Sequence, residues 1–121
     1  MNNCDILIVE DEALIAMDIE MTLESAGFEN IAVCHGILAA MAQIETGSPK
    51  VALLDFNLGK DGNSIPVAHR LMKDDVPVIF LSGYTEKTVK IPDDLSHAGR
   101  LAKPFQSDDL IAKVKNAING A

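Results

Sequence analysis

Asp55 ends a short apolar run, Val51-Ala52-Leu53-Leu54, and is followed by Phe56-Asn57-Leu58-Gly59. Three other runs end in groups of the same kind. Asp5-Ile6-Leu7-Ile8-Val9 leads into Glu10-Asp11, Val76-Pro77-Val78-Ile79-Phe80-Leu81 into Ser82, and Arg100-Leu101-Ala102 into Lys103. If these runs are neighbouring strands, three carboxylates, a hydroxyl and an ammonium share one edge. Carboxylates brought together repel unless a cation joins them. Oxygen ligands of this type suit Mg²⁺, which takes one or two carboxylates and keeps several waters. An aspartate beside such a cation can attack phosphorus and form an acyl phosphate. Lys103 can pair with Asp55 or with a phosphoryl oxygen, and Ser82 can donate to another. Neutralising charge on the transferring group is most of what phosphoryl transfer asks of a protein. Taken alone, an aspartate after a strand more often caps the next turn; what singles out Asp55 is the company it would keep.

The elements that must position these groups can be read from periodicity. Short apolar runs without alternation are strands buried on both faces, as in parallel sheets. Between them lie helical stripes: Ile15, Ile19, Leu23 and Ala26; Ile37, Ala40, Met41 and Ile44; Val67, Leu71 and Met72; and Leu110 or Ile111, Val114, Ala117 and Ile118. A weaker strand is expected at Ile31-Ala32-Val33-Cys34. Glu10-Asp11-Glu12 are expected in or beside the first helical turn, Asn63 or Ser64 as the cap of the third helix, and Ser107 as the cap of the last. Between Thr85 and Gly99 no stripe is visible, and a short or irregular fourth helix around Glu86–Val89 is expected there. Strands alternating with helices predict an α/β fold, a doubly wound five-stranded parallel sheet of flavodoxin-like order 2-1-3-4-5 with five helices. That order brings the ends of the first, third, fourth and fifth strands side by side, where open α/β sheets bind ligands.

Composition narrows the function classes. The chain has 121 residues, the size of one domain, and 48% of them are hydrophobic. No apolar run approaches the ~18 residues that span a bilayer, and the first residues lack a basic signal-peptide region, so a cytoplasmic protein is expected. A formal net charge of −8 without any Lys/Arg cluster argues against direct binding to nucleic acid or to an anionic membrane. Cys4 and Cys34 would stand roughly 15–20 Å apart on their strands, outside disulfide reach, and read as free buried thiols. His35, His69 and His97 are dispersed and read as surface or structural residues. The five methionines, Phe56 and Phe80 read as packing, and Asp74-Asp75 as solvated loop acids.

The chain resembles a CheY-like receiver domain of two-component response regulators. The resemblance spans nearly the whole sequence and rests on Glu10-Asp11, Asp55, Ser82-Gly83 and Lys103-Pro104 in order after successive strands. It implies Asp55 as phosphoacceptor and Asp11 as a direct Mg²⁺ ligand. Glu10 would act directly or through water, the Asn57 backbone carbonyl as a further ligand, and Ser82 and Lys103 as holders of the phosphoryl group. It also implies a cis Lys103–Pro104 bond, and a small Gly83 that leaves the phosphodonor a path. Receivers usually carry Phe or Tyr three residues before the strand-five lysine, where this chain has Arg100. The stretch Pro77 to Tyr84 is similar to the FATGUY-type signature of single-domain receivers, with Ser82 in place of Thr. This implies a stand-alone, monomeric regulator without an output domain, served by a sensor histidine kinase of HWE or HisKA2 type, and either read by another protein or acting as a phosphate shuttle or sink. Tyr84 would tune dephosphorylation or be an exposed loop aromatic.

Other classes fit less well. A Mg²⁺-dependent phosphatase of haloacid-dehalogenase type needs a second aspartate two residues beyond the first, and that position is Asn57. A nucleotide module on this fold lacks GxGxxG after its first strand, where Val9-Glu10-Asp11-Glu12 stands. A non-phosphorylated interaction module would have no use for the acidic and lysine set.

Overall fold

The computed structural model describes residues 4–82 and 98–119. Its elements are β1 (Ile6–Val9), α1 (Ala13–Ser25), β2 (Ile31–Cys34), α2 (Ile37–Thr46), β3 (Val51–Asp55), α3 (Ile65–Lys73), β4 (Val78–Ser82), β5 (Gly99–Ala102) and α4 (Ser107–Asn119), with a 3-10 turn at Gly59–Asp61. The five strands form one parallel sheet in the order β2-β1-β3-β4-β5. The helix expected around Glu86–Val89 lies outside the described residues.

Alternation of side chains along the strands divides the core into two layers. Leu7, Val9, Ala52, Leu54, Val78 and Phe80 face α2 and α3, where they meet Ala40, Ile44, Val67 and Leu71. Ile6, Ile8, Val51, Leu53, Ile79 and Leu81 face α1 and α4, against Ile19, Leu23, Leu110 and Val114. The central strands are apolar throughout because both faces are covered. Each fully buried Leu or Ile contributes about 1.5–3 kcal/mol of transfer free energy, and Leu53 and Leu54 on β3 are both completely inaccessible. Phe56 and Phe80 pack edge to face with centroids 6.0 Å apart, so both aromatics serve packing, as expected.

The structure corrects several local expectations. Glu12 is the N-cap residue of α1 rather than an acid of its first turn, which holds none. The last helix begins one residue early: Leu110 N–H bonds to the Gln106 carbonyl, so Ser107 is its first residue and not its cap. On α1 the buried stripe is Ala16, Ile19 and Leu23, with Ile15 only half-buried. Met17 and Met21 are not packing residues: they share an outer face with Leu14 and are 48% and 58% exposed. A helix with apolar residues on two sides can bury only one of them against the sheet. Cys4 and Cys34 are free and buried. Burial raises both thiols above the ordinary cysteine pKa, and Cys4 raises Cys34 further. Among the described residues no helix is long and apolar enough to cross a membrane.

Candidate functional site

Strand register builds the site. Val9 pairs with Leu54, so the next residues, Glu10 and Asp55, stand side by side at the ends of β1 and β3. Asp55 pairs with Leu81 and Ser82 with Ala102, and the Lys103 N–H continues the ladder to the Ser82 carbonyl at 2.7 Å. Glu10 extends β1 in the same way, its N–H bonded to the Cys34 carbonyl at 3.0 Å. The His35 ring donates through Nδ1 to the Glu10 carbonyl at 3.0 Å. That contact gives His35 the structural role expected of it.

The side chains converge where the strands stop. Glu10 is wholly buried and Asp55 only 5% exposed, whereas Asp11 is open to solvent. One carboxylate oxygen from each lies within 4.8 Å of the others. Lys103 Nζ reaches into the group, 2.6 Å from Glu10 Oε1 and 3.2 Å from Asp55 Oδ2. The pairing read from sequence, Lys103 with Asp55, is present, but the shorter bond goes to Glu10. Glu10 Oε2 accepts the Glu12 N–H at 3.2 Å. A cleft of about 240 Å³ opens above, lined by Asp11, Glu12, Ile15, Asp55, Asn57, Gly59 and Lys103.

The electrostatics show an excess of negative charge. Burial raises the Glu10 pKa above the ordinary carboxylate value, and neighbouring Asp55 raises it further, against the opposing pull of Lys103. Burial disfavours the Lys103 ammonium, but Glu10 and Asp55 outweigh this and hold its pKa above that of an ordinary lysine. One lysine does not balance three acids. Clustered hard oxygen donors, one solvent-facing, are the set a small divalent cation takes. The cleft wall also fits: Asp11 Oδ2 lies 2.9 Å from where a Cβ on Gly59 would stand, and Gly59 adopts φ +60°. Only glycine gives the acid that room without strain. The residues present therefore fit Mg²⁺.

The remaining predicted residues fall as follows. Asn57 lines the cleft, and its Oδ1 accepts the Gly59 N–H at 3.0 Å. Ser82 is half-buried at the end of β4 beside the cleft, not among the residues that line it. The Lys103–Pro104 bond is cis, as the resemblance implied. Arg100 is exposed on β5, in register with Phe80. Gly83 and Tyr84 lie outside the described residues. Three contributors went unread in the sequence: Glu12 and Gly59 in the cleft wall, and Asp61 beside it. Gly59 carried a faint signal as a turn glycine near Asp55. Asp61 carried none, because its partner lies 24 residues away.

Comparison with known proteins decides the family. The model of the response regulator receiver domain matches residues 6–115. This chain belongs to that family. The receiver is 35% identical to the phyllosphere-induced regulator PhyR of Methylorubrum extorquens, over 94% of this chain and 43% of PhyR. It is 36% identical to the phosphate regulon transcriptional regulatory protein PhoB of Pseudomonas aeruginosa, over 91% of this chain and 49% of PhoB. It thus spans about half the length of these curated relatives. Among solved structures, the solution structure of SdrG from Sphingomonas melonis Fr1 superposes with a TM-score of 0.78 at 34% identity, covering 98% of both chains. The receiver fold, a five-stranded sheet of flavodoxin-like order, is the one found here.

Proposed function

We propose that this receiver accepts a phosphoryl group on Asp55 from a sensor histidine kinase. The observation that carries the reading is the convergence of Lys103 and two further acids on a nearly buried Asp55. Mg²⁺ would be held by Asp11, Asp55, the Asn57 backbone carbonyl and Glu10, directly or through water. When bound, it supplies positive charge for the oxygens of the transferring group. The chain's own residues do the rest. An Asp55 oxygen attacks the phosphorus, a P–O bond forms, and the bond to the donor nitrogen breaks. Burial of Asp55 limits the water that would compete in this step and hydrolyse the acyl phosphate afterwards. Lys103 turns from the carboxylates to the new phosphoryl oxygens, a charge-assisted contact. Ser82 donates to another oxygen, drawing in the segment after β4.

The readout runs to a downstream protein by contact. At the position where receivers usually place an aromatic, Arg100 is exposed, so the signal travels through the segment beginning at Ser82-Gly83-Tyr84 and through the start of α4 beyond Pro104. A kinase of HWE or HisKA2 type fits the similarity of Pro77 to Tyr84 to the FATGUY-type signature. The test is transfer from acetyl phosphate or phosphorylated kinase with Mg²⁺ present. Wild type acquires label, chelation abolishes it, and Asp55→Asn acquires none. Label on Asp55→Asn equal to wild type would overturn the assignment.

A further inference from the structure

The segment between β3 and α3 is gripped by two carboxylates, and each meets a glycine. On the cleft side Asp11 packs against Gly59, as described. On the other side Asp61 reaches α2. Its Oδ2 accepts the Ile37 N–H at 2.9 Å and lies 2.6 Å from where a Cβ on Gly36 would stand. Gly36 precedes α2 and has no side chain to cap it. The first N–H groups of a helix need an acceptor from elsewhere, and an anionic one suits the positive end of the helix. Asp61 supplies it from a different element.

The tether acts on a segment that is stiff by its own bonds. Gly59 N–H bonds to Asn57 Oδ1 at 3.0 Å. Leu58 N–H bonds to the Gly62 carbonyl at 2.7 Å, and Asp61 N–H to the Leu58 carbonyl at 3.2 Å. Asn57 and Asn63 form an antiparallel bridge across its base. Where Asp61 is anchored therefore sets where the Asn57 backbone stands relative to Asp55.

We propose that Asp61 is a positioning residue for the acidic cleft. By capping α2 it clamps residues 57–62 and holds the Asn57 backbone carbonyl in place for the divalent cation. It does not line the cleft itself. The inference rests on the Mg²⁺ site proposed above and goes beyond it in naming what holds one wall in place.

The test is Mg²⁺ titration by calorimetry on the full chain, with amide exchange followed by NMR. Asp61→Ala weakens Mg²⁺ binding by about tenfold, the low end for groups that orient metal ligands, and the Ile37 amide loses protection. Asp61→Asn keeps an acceptor oxygen and restores most of the affinity. Gly36 has φ −161°, which any residue adopts, so Gly36→Ala adds only a Cβ where the Asp61 carboxylate sits. It reproduces the Asp61→Ala loss, and adds nothing in the Asp61→Ala background, because one contact cannot be lost twice. Several results overturn the clamp: unchanged Mg²⁺ affinity in Asp61→Ala, whether or not its melting temperature falls; a loss in Asp61→Asn equal to that in Asp61→Ala; or a Gly36→Ala effect that persists without Asp61. A wild type that binds no Mg²⁺ overturns the metal reading itself and the clamp with it, and is told apart because no variant then differs from it.

Discussion

Replacing Lys103 by methionine keeps most of the side chain's volume and removes its charge. The structure says what that leaves behind. Glu10 has no exposed side-chain surface, and Lys103 Nζ is its 2.6 Å partner, itself only 19% exposed. Asp55, 7% exposed in its side chain, loses the same cation at 3.2 Å. Removing one partner of a buried pair costs about 3–5 kcal/mol. The low end, about 3 kcal/mol, applies here because Glu10 Oε2 keeps the Glu12 N–H and the cleft admits water. For a domain of this size that is a drop in melting temperature of roughly 12 °C. The loss depends on pH with a definite sign. The folded Glu10 pKa is already raised by burial and by Asp55, and losing Lys103 raises it further. A carboxyl whose folded pKa is raised destabilises nothing below its unfolded pKa and costs progressively more as pH rises through the folded value. The Lys103→Met deficit is therefore largest on the alkaline side and shrinks as pH falls toward the ordinary carboxylate range, where Glu10 takes a proton. Thermal unfolding of both proteins from the one to the other, in chelator, measures it. Equal melting temperatures at the upper pH, or a deficit that does not shrink toward the lower, would refute the reasoning.

Three further outcomes follow from the same geometry. Gly59→Ala meets Asp11 Oδ2 at 2.9 Å and a backbone at φ +60°, so both melting temperature and Mg²⁺ affinity fall; calorimetry finding them unchanged would show that the acid does not need the glycine. Phe80→Ala empties a core site that is 1% exposed and leaves Phe56 without its partner, costing about 3–5 kcal/mol in urea unfolding. The Asp74 carboxyl is held below the ordinary aspartate pKa by hydrogen bonds from Ser48 and Arg70. Its contribution to stability is present above the unfolded pKa and lost as pH falls through the lowered folded value. An NMR titration should place its midpoint below that of other surface aspartates, and Ser48→Ala should raise it.

The sheet was legible because burial on both faces leaves a plain signature. Val51-Ala52-Leu53-Leu54 has no polar alternation, and only a central strand uses such a run. Right-handed crossovers restricted the topology and five strands fit the flavodoxin-like order, and once the strands were ordered the acids and Lys103 could be assigned to one edge. Less legible was whatever depends on distances within that edge. Whether Lys103 bonds more closely to Glu10 or to Asp55 is settled by tenths of an ångström, which residue types do not encode. Met17 and Met21 have helical spacing and apolar side chains, yet periodicity reports which residues share a face, not which of two apolar faces the sheet will cover. Glu12 was placed inside the first turn of α1 when it is the N-cap, because caps and first turns attract the same residue types. Asp61 was invisible because it caps the far end of a helix from which β3 separates it, 24 residues along the chain, and no local pattern announces such a contact.

The central claim is that the cleft exists to modify Asp55. The direct measurement is peptide mapping by mass spectrometry after the protein is treated with acetyl phosphate and Mg²⁺ and the acyl phosphate is trapped by borohydride reduction. The expected result is a single modified site, at Asp55, absent when Mg²⁺ is chelated. Modification at Glu10 or Asp11 instead, or Asp55 left unmodified while another residue takes the label, would contradict the account.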